Sequence, residues 1–302
     1  MEGNSMKIGM IGLGKMGYNL ALNLKDNGYE VIAYNRSSEA TDLIKKEGIV
    51  GTTDLYEFIG LLPKPRIIWI MVPAGEAVDE MIEKLIKFVD KDDILIDGGN
   101  SHYKDTLKRY ELLKNKDINY VDIGTSGGIS GARNGACTMI GAEEEIFKII
   151  EPIVKAISVE NGYLHVGKNG AGHYVKMVHN GIEYGMMQAI GEGFQLLESS
   201  QFDLNYEDVA KVWNNGSVIR SWLMELSENL FAKDPHLNKL KGVVDSSGVG
   251  LWTLQEAIEL GIPTPVLAMS LFTRFSSKDD NLFSNRVVAG LRNEFGGHNV
   301  TK

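Results

Sequence analysis

A lysine and a glutamate seven residues apart, Lys176 and Glu183, lie in a proline-free segment from Gly172 to about Glu198 that is rich in Met, Val, Ile and Ala. The pattern predicts one helix of roughly 27 residues, near 40 Å long. At 100° per residue, Lys176, His179, Asn180, Glu183 and Tyr184 fall within about 140° of one another and share a face. Val175, Met177, Val178, Ile182, Met186 and Met187 take the remainder, so the helix is expected to be buried around most of its circumference. Two turns of separation make a direct ion pair between Lys176 and Glu183 unfavourable, which lets each face a ligand lying between them. Desolvation favours the neutral form of either group, so a lysine on such a face can act as a base and a glutamate as an acid. A structural network of satisfied core polar groups is the alternative.

A second constellation is glycine-based. In Gly12-Leu13-Gly14-Lys15-Met16-Gly17 the first glycine permits a tight turn, the second lets backbone N–H groups approach a pyrophosphate, and the third permits close helix packing. The turn follows an apolar run and opens a helical segment, the context that makes it a dinucleotide signature. An NAD site usually places an acid about 20 residues on, to hold the ribose 2′-hydroxyl. Here Tyr34 is followed by Asn35, Arg36 and Ser37. Arg36 can pair with a 2′-phosphate or lie over the adenine face, and the set favours NADP, with NAD the alternative. Two further glycine-rich runs, Asp97-Gly98-Gly99-Asn100-Ser101 and Asp122-Ile123-Gly124-Thr125-Ser126-Gly127-Gly128, close two apolar runs. Asn100 and Ser126 could hold substrate hydroxyls or a carboxylate there, or be ordinary turn residues.

The elements that must position these groups read as strand, turn and helix in alternation. Lys7 to Ile11, Glu30 to Tyr34, Arg66 to Val72 and Asp93 to Asp97 are expected strands, with helical segments such as Glu76 to Val89 between them. Asn119 to Ile123, Ala136 to Ile140 and Gly162 to Val166 extend the set. The alternation predicts an α/β fold: an N-terminal Rossmann-type, parallel, doubly wound sheet. No strand is expected after Gly172, where Tyr206 to Trp213, Ser217 to Asn229, Thr253 to Leu260 and Pro265 to Ser276 read as helices. The expected division is 1–170, a dinucleotide-binding domain, and 171–302, an all-α substrate and oligomerisation domain, in keeping with 302 residues and the glycines around Lys168 and Asn169. A net charge of -9 gives no general attraction to nucleic acid or an anionic membrane, so any anionic ligand needs cations gathered locally. The absence of an H-E-x-x-H run or paired cysteines argues against a metal. The lone Cys137, together with the lack of a signal-type or membrane-spanning apolar run, predicts a reducing cytoplasmic setting.

At HNGIEYG, 179 to 185, the sequence resembles the decarboxylating 6-phosphogluconate dehydrogenases. GLGKMG (12 to 17), NRS (35 to 37), MVPAG (71 to 75), DGGNS (97 to 101), TSGGISGARNG (125 to 135) and GHYVKMVHNGIEYG (172 to 185) occur in that family's order. The resemblance implies oxidation and decarboxylation of 6-phosphogluconate in the pentose phosphate pathway. It makes Lys176 the general base and Glu183 the general acid, with Asn100, Ser126, Gly127, Gly128, His179 and Asn180 holding the sugar acid. Tyr184, Arg274, Arg292 and His298 would grip its phosphate, and Val72, Pro73, Ala74 and Asn100 would line the cofactor. It also implies a homo-oligomer, a dimer or a dimer of dimers, with the C-terminal tail reaching a neighbouring site. The chain resembles the short form. The loop from Asp245 to Thr253 lacks the lysine that long enzymes place before a Trp-Thr pair. Two other readings are open on the residues alone: a 3-hydroxyacid dehydrogenase that stops at oxidation, which Glu183 and the Arg292/His298 tail argue against, and a dinucleotide-binding sensor without turnover.

Overall fold

The computed structural model describes residues 6–246 and 248–278, together with Ser284 and Val287. The first half alternates strand and helix: β1 (Lys7–Ile11), α1 (Lys15–Asp26), β2 (Glu30–Tyr34), α2 (Ser38–Lys46), β3 (Val50–Thr52), α3 (Leu55–Gly60), β4 (Ile67–Ile70), α4 (Glu76–Leu85), β5 (Ile94–Asp97), α5 (Tyr103–Lys114), β6 (Asn119–Ser126), α6 (Gly128–Asn134), β7 (Ala136–Gly141), α7 (Glu144–Ile157) and β8 (Ser158–Gly167). The eight strands form one sheet in the order β3-β2-β1-β4-β5-β6-β7-β8. The order reverses between β1 and β4, and an open α/β sheet binds ligands at the carboxyl ends flanking such a switch. Burial on both sides explains the unbroken apolar run of β4 and that of Ile94 to Ile96 in β5. One buried cluster gathers Met10, Leu20, Leu24, Trp69, Ile96 and Ile153, and the other Ile11, Phe58, Ile68, Ile70, Leu95 and Tyr120.

The sheet departs from the expected all-parallel pattern at one place. β6 and β7 pair antiparallel, from Asp122 opposite Gly141 to Ser126 opposite Cys137. Only the short α6 segment joins them, and a parallel crossover needs a dozen or more residues, so the chain must return in the opposite sense. α7 then supplies a full crossover and β8 runs parallel to β7. β3, between α2 and α3, has no counterpart in the expected strands.

The rest of the described chain is helical: α8 (Ala171–Glu198), α9 (Tyr206–Asn214), α10 (Trp222–Lys233), α11 (Gly248–Glu259) and α12 (Pro265–Ser276). Two compact units divide at His179 and Asn180, within α8. In the second unit Phe194, Tyr206, Ala210, Met224 and Phe231 form a separate apolar cluster. α10 starts later than expected, because the Ser221 side chain accepts from the Met224 N–H and caps the helix there. α11 starts earlier, at Gly248.

Candidate active site

The carboxyl ends of β1 and β4 form the first part of the site. Gly12 has φ +93°, and a Cβ there would overlap the Met71 carbonyl at the end of the neighbouring strand. Gly17 is as restricted, since a Cβ would overlap the Gly12 carbonyl as α1 packs back on the turn. Gly14 differs: no atom lies within 4 Å of where its Cβ would be, so the backbone at the start of α1 stands open. Open space in front of exposed N–H groups at a helix start is what a pyrophosphate requires. These residues therefore fit a dinucleotide. Asn35 ties the turn to the next strand end. Its Oδ1 accepts from the Leu13 N–H at 3.0 Å, and its Nδ2 donates to Ser37 Oγ at 3.0 Å. Arg36 is exposed and makes no ion pair with a described carboxylate, while Lys15 is exposed beside the turn. Pro73 and Ala74 are exposed and Val72 and Met16 half-buried.

The second part lies on α8. Lys176 is buried, 7% exposed. Its Nζ lies 3.4 Å from His179 Nδ1, and His179 Nε2 lies 3.1 Å from Ser126 Oγ at the end of β6. If the ammonium donates to Nδ1, the imidazole proton sits on Nε2 and points to the serine, so the three groups form one directed chain. The sequence stripe of Lys176 and His179 thus meets the glycine-rich end that carries Ser126. Gly127 and Gly128 follow with φ +115° and +59°, left-handed conformations that favour glycine, and open α6. Asn100 is exposed after β5.

Three residues outside the sequence expectations hold this arrangement. Asp122, fully buried on β6, accepts from the Gly170 N–H at 2.7 Å and the His173 N–H at 2.9 Å. It thereby satisfies donors that the start of α8 leaves without intrahelical partners. Burial pushes the Asp122 carboxyl above its ordinary value, and His173 and the two N–H groups draw it part of the way back. Gly124 admits the catalytic candidate itself, because a Cβ there would overlap Lys176 Cβ, and Gly172 presses α8 against the Asp122 and Met139 carbonyls. An acid and a glycine alternating in a strand were the available signal, but their partner lies some 50 residues away.

The remaining candidates belong to the second unit. Tyr184 is buried, and Asn180 and Glu183 are half-buried on α8. Arg274 lays its guanidinium 3.5 Å from the centre of the Tyr184 ring and donates from Nη1 to the Asp245 carbonyl at 2.9 Å. Gly250 makes room for that ring, since a Cβ would overlap it. Arg292 and His298 lie outside the described residues. The expected burial of the apolar remainder of α8 does not hold throughout in the single chain: Val175, Ile182 and Met186 are 38%, 52% and 42% exposed. Their spacing of seven and four places them on one stripe, while His173 and Met177, 1% and 2% exposed, lie on the opposite face.

Among the described residues no helix is long and apolar enough to cross a membrane. Residues 7–167 match the NAD binding domain of 6-phosphogluconate dehydrogenase, and residues 172–295 match the 6-phosphogluconate dehydrogenase C-terminal domain. The Bacillus subtilis protein YqeC is 54% identical over 98% of the chain and 100% of its own length. An NAD(+)-dependent, decarboxylating 6-phosphogluconate dehydrogenase of Haloferax volcanii is 42% identical over 98% of the chain and 99% of its own length. The 6-phosphogluconate dehydrogenase of Plasmodium falciparum, solved with NADP+ and with 6-phosphogluconate, superposes with a TM-score of 0.85 at 34% identity, covering 98% of this chain and 66% of that one. A Mycobacterium tuberculosis 3-hydroxyisobutyrate dehydrogenase shares the fold alone, at 19% identity and a TM-score of 0.74. With both domains matched, and relatives at this identity along nearly the whole chain, the protein belongs to the 6-phosphogluconate dehydrogenase family.

Proposed function

We propose that the chain oxidises and decarboxylates 6-phosphogluconate to ribulose 5-phosphate and CO2, within the pentose phosphate pathway and in the cytoplasm, working as a homo-oligomer. The observation that carries this reading is the hydrogen-bonded chain from buried Lys176 through His179 to Ser126 at a carboxyl strand end, with Glu183 two turns further along the same helix. Gly12 to Gly17, Asn35, Arg36, Ser37, Val72 to Ala74 and Asn100 would hold the dinucleotide, and Arg36, which makes no ion pair with a described carboxylate, supports NADP over NAD. When bound, the oxidised nicotinamide supplies the acceptor for the hydride leaving C3. Lys176 takes the proton of the C3 hydroxyl as that C–H bond breaks. The resulting ammonium holds the new carbonyl oxygen while the bond to the carboxylate breaks, CO2 leaves, and the electron pair passes into an enediolate that Lys176 reprotonates. Glu183 then protonates the carbon that lost the carboxylate. Lys176 takes back the remaining hydroxyl proton as the ketone forms, and its passage to Glu183 restores both groups. Asn100, Ser126, Gly127, Gly128, His179 and Asn180 orient the sugar acid, and Arg274 stacked on Tyr184 offers a cation to its phosphate, a task shared with Arg292 and His298.

The test is turnover of 6-phosphogluconate with NADP and NAD side by side, with CO2 measured. Equal amounts of reduced cofactor and CO2, and a higher kcat/KM with NADP, are expected. Reduction without CO2 would instead establish a 3-hydroxyacid dehydrogenase, and binding without reduction a sensor.

A further inference from the structure

One buried guanidinium spans two loops, the first given to the dinucleotide and the second, through Asn100, to the sugar acid as well. Arg109, on α5, is 3% exposed. Its Nε donates to Asp79 Oδ1 on α4 at 2.7 Å, and its Nη2 donates to the Gly75 carbonyl at 3.0 Å. Its Nη1 reaches Ser101 Oγ at 3.2 Å and Asp97 Oδ2 at 3.5 Å. Gly75 closes the loop that carries Val72, Pro73 and Ala74, while Asp97 and Ser101 bracket Asn100. The two loops leave adjacent parallel strands, with Ile70 opposite Asp97 in the sheet.

The second loop is rigid around this contact. Asp97, fully buried, accepts on Oδ2 from Ser101 Oγ at 2.7 Å and from the Tyr120 hydroxyl at 3.0 Å, and on Oδ1 from the Gly99 N–H at 3.1 Å. The first loop is held from its end. The Gly75 carbonyl that Arg109 engages also accepts from Val78 N–H at 3.0 Å, at the start of α4, and Gly75 has φ +90°. A guanidinium is planar, with donors in a fixed fork, so a shift of one loop must either break a hydrogen bond or rotate the plane and carry the other loop along. Buried hydrogen-bonded groups resist the first course, because a broken partner is left without water.

We infer that Arg109 is a positioning residue that couples the two ligands, so that binding at the Val72 to Ala74 loop alters affinity at Asn100 and the reverse. This rests on the proposed assignment of those loops to dinucleotide and sugar acid. Linkage requires the effect to be reciprocal.

The experiment measures the Kd of NADPH on the full chain with and without saturating 6-phosphogluconate. The cofactor already carries the hydride, so no turnover intervenes. In the wild type the two constants should differ by about fivefold or more. Arg109→Lys keeps a cation beside Asp97 but not the fork, and should bring the ratio towards one, an effect that a loss of stability alone would not produce. Should Arg109→Lys fail to fold, Ser101→Ala removes a single hydroxyl between Arg109 and Asp97 and should lower the ratio in the same direction. A wild-type ratio of one, or a wild-type ratio retained in the folded variant, overturns the coupling while the functional reading stands. A wild type that binds neither NADPH nor 6-phosphogluconate overturns that reading and the coupling with it.

Discussion

Lys176 combines two properties that usually oppose each other, deep burial and an ionisable head, and the conflict is eased by placing that head against an imidazole and through it a serine hydroxyl. Such a group suits proton transfer better than structure, because a folded protein gains nothing from a desolvated cation that an apolar side chain would not supply. Lys176→Met should therefore lower kcat by at least about 10²-fold, the low end of general-base catalysis, and leave the melting temperature equal or raised. Steady-state kinetics beside circular dichroism melting reads both, and near-native turnover would remove Lys176 from the base role. The glycines explain why such groups could be picked out before any geometry. Gly12, Gly14 and Gly17 act within six residues of chain, so their three different duties are written locally. Gly124 is equally restrictive, but its partner Lys176 is distant in sequence, and a lone glycine in an apolar run says nothing of what approaches it.

At the scale of the element, α8 must start at one place on the sheet for Lys176 to reach His179 and Ser126, and Asp122 sets that start by holding the Gly170 and His173 N–H groups. Burial raises the Asp122 carboxyl above its ordinary value of 3.8, so the folded chain binds this proton more tightly than the unfolded one. Its contribution is then fully present below 3.8 and falls as pH rises through the raised value. Asp122→Asn has no proton to lose there, and its one lost acceptor is a constant offset. The melting temperature of the wild type relative to Asp122→Asn should decline from about pH 3.5 to 7. A relative stability that climbs with pH would mean that the two N–H groups outweigh desolvation. Most elements were legible because apolar runs and helical spacing are local signals. β8 illustrates the limit: only its Gly162 to Val166 part was expected, since Glu160 and Asn161 in its earlier half are exposed and interrupt the apolar pattern. β3 fails for a related reason, as three residues show no periodicity. The strand at β7 is as expected, but its antiparallel direction is not, because strand direction depends on connection length rather than on composition.

For the whole molecule the governing quantity is charge. A chain of net charge -9 must admit a sugar acid that carries both a carboxylate and a phosphate, and long-range repulsion has to be offset by cations close to the ligand. Arg274, fixed between the Tyr184 ring and the Asp245 carbonyl, is one such cation, and the loop from Asp245 to Thr253 offers no lysine to help it. Further positive charge has to come from elsewhere in the sequence, and Arg292 and His298 flank Phe295, an apolar residue able to anchor the segment between them. Deleting residues 292–302 should then raise the KM for 6-phosphogluconate about tenfold or more, the size of one lost charge-assisted contact, while the KM for the dinucleotide stays within about twofold. Unchanged KM for the sugar acid would remove the tail from phosphate binding. If the tail serves a neighbouring subunit, a truncated chain with its own Lys176 lacks only a tail, and a full-length Lys176→Met chain lacks only a base. Co-expressing the two should recover turnover at low KM that neither has alone, because a mixed oligomer places one chain's base beside the other chain's tail. A raised KM without such recovery would assign the tail to the site of its own chain, and subunit exchange would then leave the kinetics of either variant unaltered.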